Sequence, residues 1–130
     1  MQPILGRFEG LVYALLRIVA GALLACHGAQ KILGLLGGKA QTGNPMMLLA
    51  GLIELVGGSL VAVGLLASIA AFLASGLMAV AYFMVHAPQS FWPIVNKGEL
   101  AVIFCFVFLF IAARGSGTLS LDRVFGRGKR

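Results

Sequence analysis

Short polar stretches divide the chain into four apolar runs. The runs cover about residues 11–36, 45–66, 68–86 and 98–113. Each has about 16 to 26 residues, and about 20 residues of helix cross a hydrocarbon core, so the pattern predicts four transmembrane helices. In the last run phenylalanine alternates from Phe104 to Phe110, as in a strand. A lone strand in lipid would leave its backbone groups unpaired, so we predict a helix there as well.

The segments between the runs indicate how the helices connect. A polar, glycine-containing loop over residues 37–44 precedes Pro45, which suits the first turn of a helix because its missing N–H costs nothing there. Ala67 and Ser68 leave room only for a tight turn, so the second and third helices should form an antiparallel hairpin. We therefore predict a single all-α domain over residues 1–130, an integral membrane four-helix bundle.

Composition supports a membrane protein. Of the 130 residues, 60% are hydrophobic and 11% are charged, and the mean hydropathy is +1.00. Soluble domains carry roughly 25% charged residues, so this chain has too little polar surface to cover itself in water. Lipid is the expected surrounding.

We attribute the formal charge of +6 to basic residues that set the orientation of the protein in the membrane. No nucleic-acid-binding motif accompanies this charge. One side of the predicted bundle carries Arg7 and five basic residues of the tail: Arg114, Arg123, Arg127, Lys129 and Arg130. The opposite loops carry Lys31, Lys39 and Lys97. Because basic residues stay on the cytoplasmic side, both termini are predicted to be cytoplasmic.

Ionisable residues of all four helices gather in the predicted outer half of the bundle. His27 and Lys31 are four residues apart, hence on one face of the first helix. At 1.5 Å of rise per residue, Glu54 lies roughly 13 Å below the outer surface. His86 ends the third helix, and Asn96 and Glu99 precede and open the fourth.

The neighbours of these residues indicate which faces point inward. Glu54 shares a stripe with Gly51 and Gly58, and small residues let membrane helices approach closely. Tyr82 and His86 continue a small-to-polar stripe on the third helix. We therefore expect Glu54 to face another helix, since lipid contact would cost several kcal/mol.

Structural interpretations of the same residues remain open. Glu54 paired with Lys31 or Arg17 would fix helix register only, and Lys31 and Arg17 would otherwise extend to the two interfaces. Glu99 would stabilise a helix N-terminus, and His86 would be an interfacial histidine. Two cysteines in separate apolar runs are expected to behave as small hydrophobic residues, with a disulfide or redox pair as the alternative.

A quinone fits this cluster chemically, because its headgroup needs a hydrogen-bonding partner at each carbonyl and a proton route to water. Histidine titrates near neutral pH and a carboxylate carries protons. We predict Glu54, His27 and His86 as catalytic residues. The predicted binding residues are His27, Lys31, Glu54, Tyr82, His86, Asn96 and Glu99. Haem ligated by the two histidines is disfavoured by their position at the membrane edge, and zinc by the lack of tight ligand spacing. We expect no metal.

Several motifs together resemble the DoxX family of small membrane proteins. They are LRIVAG at 16–21, HGAQK at 27–31, GLIELVGG at 51–58, AVAYF at 79–83, HAP at 86–88, NKGEL at 96–100 and SLD at 120–122. They occur in the family's order along nearly the whole chain. The family motif positions that carry over are His27, Lys31, Glu54, His86, Asn96 and Glu99.

The resemblance implies a multi-pass four-helix bundle in the cytoplasmic membrane of bacteria or archaea. The family takes its name from a subunit of a thiosulfate:quinone oxidoreductase, and relatives are described as partners of redox enzymes. This chain lacks the soluble domain of some thiosulfate-oxidising relatives, which leaves that substrate in doubt. Two functions remain open: an accessory subunit of a quinone oxidoreductase within a membrane redox or respiratory complex, or a non-catalytic anchoring subunit of a larger complex. A small transporter is disfavoured because the bundle is narrow.

Overall fold

A computed structural model describes residues 1–127 of the chain, and every regular element in that part is helical. The elements are α1 (Gly6–Leu33), α2 (Pro45–Val63), α3 (Ala67–His86), α4 (Pro93–Asn96), α5 (Glu99–Arg114) and α6 (Leu121–Val124). Among these residues, α1, α2 and α3 are long and apolar enough to cross a membrane. The helix α5, which occupies the fourth predicted run, has 16 residues.

Local chemistry explains where the long helices begin and end. The side chain of Asn44 caps α2 by accepting from the backbone N–H of Met46, and Pro45 occupies the first turn. The helix α1 ends at Gly34, whose φ is 66°, and α2 ends at Gly64, whose φ is 73°. Glycine adopts this left-handed conformation without the Cβ penalty. Both helices therefore stop three residues before the ends predicted from hydropathy.

The long helices pack in chain order, each antiparallel to the next. α1 packs against α2, α2 against α3, and α5 runs back along α3. At the end that carries the chain termini, here called the terminal end, Tyr13 donates its hydroxyl to the carbonyl of Gly115. At the opposite end, here called the distal end, the backbone N–H of Gln41 donates to the carbonyl of Lys31. Each helix thus runs between the same two ends.

Glycines bring α1 and α2 into backbone contact. A Cβ added to Gly58 would lie 2.5 Å from the backbone nitrogen of Ala25, and one added to Gly28 would overlap the backbone of Leu55. A Cβ on Gly51 would lie 2.8 Å from the side chain of Ile32. The prediction that this glycine stripe faces another helix is confirmed.

The exterior of the helices is apolar. Phe72, Phe83 and Phe106 expose 64%, 70% and 65% of their surface. Rings so exposed suit contact with lipid chains, whereas a soluble protein seldom shows such a continuous apolar surface. Lipid contact is therefore expected along the sides of the molecule. The interior contains an apolar core that includes Leu24 and Phe108, together with several buried polar side chains.

Candidate functional site

Two π-helical turns interrupt the long helices, and both contain residues that the sequence predicted for the site. One spans Ile53–Gly57 in α2 and includes Glu54. The other spans Tyr82–His86 at the end of α3. A π turn inserts a residue into the helix and changes the direction of the side chains around it, and such turns occur frequently at functional sites. Neither turn was predicted from the residue pattern.

Glu54 lies inside the molecule and is paired with Lys31. Its exposure is 3%, and the ammonium of Lys31 donates to both carboxylate oxygens at 2.6 and 2.7 Å. The Lys31 side chain keeps 24% of its surface exposed, whereas that of Glu54 keeps 4%, so the ion pair extends from the interior toward the surface near the distal end. Glu54 was predicted to face inward, and this is confirmed. The alternative that it pairs with Arg17 is wrong.

His27 lies one turn deeper in α1, on the same face as Lys31. Its ring meets Phe104 of α5 edge to face, with ring centroids 6.2 Å apart, and it is partly buried. Among residues 1–127 neither ring nitrogen of His27 has a hydrogen-bond partner in the protein. An imidazole that is free to donate or accept within that part of the chain therefore lies one helical turn from Lys31, on the same face of α1.

A second cluster lies at the distal end of α3. Asn96, at the end of α4 and 2% exposed, donates to the carbonyl of Ser90 at 2.8 Å and to the hydroxyl of Tyr82 at 3.2 Å. Its side-chain oxygen accepts from the backbone N–H of Gly98 at 2.8 Å. These bonds hold the loop between α3 and α5 against the end of α3.

His86 belongs to this second cluster and has a defined tautomer. Its Nδ1 lies 3.0 Å from the carbonyl oxygen of Asn96. A carbonyl only accepts, so Nδ1 carries the hydrogen and the neutral ring presents a lone pair at Nε2. The ring also stacks on Tyr82, with centroids 6.3 Å apart. His86 is thus a fixed, partly exposed proton acceptor.

Contacts join the predicted residues into two clusters, whereas the sequence predicted one pocket. Ser75 of α3 donates to the carbonyl of Cys105 at 2.8 Å, next to the Phe104 that touches His27. Tyr82 lies two turns further along α3, or about 10 Å at 1.5 Å per residue. The Tyr82 cluster is therefore nearer the distal end than His27. This axial offset explains why His86 bonds to the α4 loop instead of meeting Glu54.

Glu99 takes part in neither cluster. It is exposed in the first turn of α5, and its carboxylate has no hydrogen-bond or ion-pair partner among residues 1–127. Its position fits the alternative of a carboxylate that stabilises a helix N-terminus.

Sequence analysis missed a polar site at the terminal end, built around Arg17. Arg17 is fully buried, and its guanidinium donates to backbone carbonyls of two segments. The acceptors are Val61 and Ala62 at the end of α2, and Ser116, Thr118 and Leu119 after α5. The alternative that Arg17 extends to an interface is wrong, because carbonyls enclose its head. Every residue looks alike as a backbone acceptor, whatever its side chain, so the sequence could not predict this ring of carbonyls, here called the Arg17 cage.

Asp122 adds an anion beside the cage. Its exposure is 7%, and it accepts from the hydroxyl of Ser116 at 2.5 Å. Burial raises the pKa of this carboxyl, but the Ser116 hydroxyl, the backbone amides of Leu66 and Ala67, and the charge of Arg127 outweigh burial, so the pKa lies below its ordinary value. Its second oxygen, Oδ1, has no partner of good hydrogen-bond geometry among the described residues. Asp122 therefore places a negative charge near the start of α3, where the helix dipole favours an anion.

The remaining chemistry-bearing residues are placed as follows. Cys26 and Cys105 both have free thiols, so the alternative of a disulfide between them is wrong for this structure. Within residues 1–127 no three His, Cys, Asp or Glu side chains converge in a way that would hold a metal ion. Two basic residues counted for topology, Lys129 and Arg130, lie outside the described residues.

Comparison with known proteins places the chain in a family. The DoxX family model matches residues 12–87. An uncharacterized protein of Haemophilus influenzae is 39% identical over 128 residues, which cover 93% of this chain and 96% of the relative. No solved structure matches. The matched region includes both π turns, the Lys31–Glu54 pair and His27, and on this basis the chain belongs to the DoxX family.

Proposed function

We propose that the chain is a four-helix subunit of the bacterial or archaeal cytoplasmic membrane, with α5 as the fourth span and both termini cytoplasmic. Basic side chains at the terminal end support this orientation: Arg7, Arg114, Arg123 and Arg127 outnumber Lys31, Lys39 and Lys97 at the other end. The apolar exterior supports full insertion. Labelling single engineered cysteines at position 2 and in the 37–44 loop with an impermeant maleimide tests it, and labelling of position 2 from the periplasmic side would contradict it.

The proposed role is that of a membrane subunit in a quinone-linked redox system. One observation carries this proposal: a carboxylate that is 3% exposed is held by an ammonium in the interior, and one helical turn from that lysine lies an imidazole without a hydrogen-bond partner among residues 1–127. Ionisable groups are costly within a membrane and mark proton or substrate pathways there. A quinone headgroup needs such groups at its two carbonyl oxygens.

Each residue of this site has a distinct task in the proposal. His27 donates a hydrogen bond to one quinone carbonyl. Lys31 stabilises negative charge on an oxygen as electrons arrive from a redox partner protein. Glu54 takes up and delivers a proton, with Lys31 holding the carboxylate in place between transfers. Reduction of a quinone to a quinol consumes two electrons and two protons, and the electrons come from that partner.

The second cluster would pass protons between water and the interior. His86 has a fixed tautomer with its Nε2 lone pair available and remains partly exposed. Tyr82 and Asn96 orient it and hold the loop above it.

A matched pair of substitutions tests the quinone proposal. Glu54→Gln keeps the shape of the side chain but removes its proton-carrying charge, and Glu99→Gln makes the same change at an exposed carboxylate. We expect Glu54→Gln to lower quinone-linked electron transfer in membranes by about a hundredfold, the usual scale of a lost acid–base group. Glu99→Gln should retain the wild-type rate. Equal rates in both variants, at equal protein levels, would contradict the proposal.

A second candidate is favoured by the completeness of the Lys31–Glu54 pair. Because each charge already has its partner, the pair also suits a purely structural role in an anchoring subunit of a larger complex. The double variant Lys31→Met/Glu54→Gln separates the two candidates. An anchoring subunit would assemble and support its partner with this uncharged replacement, whereas a quinone site would lose activity while assembly persists.

A further inference from the structure

A groove at the terminal end of the molecule, between the start of α1 and the end of α5, has an apolar wall and a single arginine at its mouth. Its volume is about 490 Å³. The residues that line it are Pro3, Leu5, Gly6, Glu9, Val12, Tyr13, Leu16, Phe110 and Arg114. This groove is separate from the Lys31–Glu54 pair, which lies in the outer half of the helices.

The two ends of the groove differ in chemistry. Val12 and Leu16 expose 45% and 39% of their surface along its length. Phe110 packs edge to face against Tyr13, with centroids 5.7 Å apart, and closes the wall. An acyl chain lying in the groove would contact the apolar side chains that form its walls. A polar headgroup would then lie at the end of the groove nearest the chain termini.

Arg114 is held in position at that end. Its guanidinium lies over the ring of Tyr13, 4.6 Å from the centroid, and one of its nitrogens donates to Glu9 at 2.5 Å. Glu9 keeps 66% of its side chain exposed, so this ion pair is a weak, water-exposed one. The remaining N–H groups of Arg114 have no partner among residues 1–127. They are available to the oxygens of a phosphate.

We propose that this groove binds one phospholipid with an anionic headgroup, whose acyl chain lies along α1 and whose phosphate is bound by Arg114. Arginine binds phosphate through paired N–H groups, and each basic residue near a bilayer surface favours anionic lipid. A zwitterionic lipid occupies the same wall, but its own positive charge competes for the phosphate and is repelled by Arg114.

Native mass spectrometry of the full chain, extracted in mild detergent and given equal amounts of phosphatidylglycerol and phosphatidylcholine, tests the proposal. We expect the singly lipid-bound protein to favour phosphatidylglycerol about fivefold, the ratio that one basic residue at a membrane surface supports. Arg114→Gln should bring the ratio close to one. Arg123→Gln, which removes another exposed arginine that lies outside the groove, should leave it unchanged.

Two further variants make the result decisive. Glu9→Gln removes the competing carboxylate and should raise the preference for phosphatidylglycerol. Val12→Trp narrows the apolar wall and should weaken binding of both lipids. Loss of the preference in Arg123→Gln as well would show that net charge alone selects the lipid. An unchanged ratio in Arg114→Gln would overturn the proposal, as would a lower ratio in Glu9→Gln.

Discussion

Replacing Arg17 should detach the segment after α5 from the rest of the molecule. Its guanidinium joins the end of α2 to that segment through bonds to Val61 at 3.0 Å, Thr118 at 3.0 Å and Leu119 at 2.7 Å. The backbone N–H of Asp122, which donates to the carbonyl of Gly64 at 2.9 Å, is a second link. Arg17→Met keeps the apolar stem of the side chain and removes every donor. The bonds to the carbonyls of Val61 and Ser116 are buried and the others are partly buried, and buried acceptors without donors are costly.

The size of the effect follows from the burial of the cage. A hydrogen bond to a charged group contributes roughly 1.5 to 3 kcal/mol, but bonds sharing one donor group are not additive. Removing one member of a buried charged network typically costs about 3 to 5 kcal/mol. We expect a loss in that range for Arg17→Met, or a fall in the unfolding midpoint on the order of 10 °C. The stability of Arg17→Lys should lie between those of the wild type and Arg17→Met, because one ammonium cannot reach both sets of carbonyls.

Thermal unfolding in detergent, followed by circular dichroism, measures this loss, and limited trypsin digestion after Arg123 reports release of the tail. Arg114→Met is the control, since it removes an exposed arginine from the same end and should change stability by less than about 1 kcal/mol. If Arg17→Met and Arg114→Met unfolded within about 1 kcal/mol of each other, with equal digestion rates, the cage would not carry the stability assigned to it.

Three other predictions follow from the structure. Gly28→Val should separate α1 from α2, because the valine side chain would overlap the backbone of Leu55. We expect a loss of at least about 2 kcal/mol in the free energy of unfolding. The control Gly76→Ala, whose added methyl would lie in open space, should change the free energy of unfolding little. Asp122→Asn should be less stable than the wild type at pH 7, because the pKa of Asp122 is lowered in the folded state. The stability that this carboxylate contributes is present above its unfolded pKa of about 3.9 and is lost as pH falls through the folded pKa. The difference in unfolding midpoint between the variant and the wild type should therefore close in acid. Asn96→Ala should cost about 2 kcal/mol and speed hydrogen exchange over residues 90–98, and unchanged exchange there would show that the loop is held by other contacts.

Hydrophobic patterning predicted the helices because lipid imposes a simple rule on residue type. The runs that became α1, α2 and α3 lie within a few residues of their predicted positions. The helix α1 begins five residues before its predicted start, and Gly34 and Gly64 end α1 and α2 earlier than hydropathy does. The inward direction of Glu54 was also predictable, since glycines one turn to either side allow a close neighbour.

The grouping of the site residues was not predictable in the same way. A π turn is a backbone feature without a residue signature, so the sequence did not reveal the altered direction of Tyr82 and His86. Depth along the helix was estimated from the ends of apolar runs, which placed His86 and His27 closer together than they are. The Arg17 cage depends on carbonyl groups of a loop whose path only the folded chain defines.

The proposed quinone site depends most on the interior carboxylate of Glu54 and the imidazole of His27, and quinone binding by the purified protein tests that site directly. Wild type, Glu54→Gln and Glu99→Gln, each purified in mild detergent and titrated with a short-chain ubiquinone analogue, would be compared by quenching of intrinsic fluorescence and by organic extraction of retained quinone. We expect wild type and Glu99→Gln to bind with equal affinity and Glu54→Gln to bind at least about tenfold more weakly, a difference of about 1.4 kcal/mol. Equal binding by all three proteins, or none by the folded wild type, would contradict the quinone site.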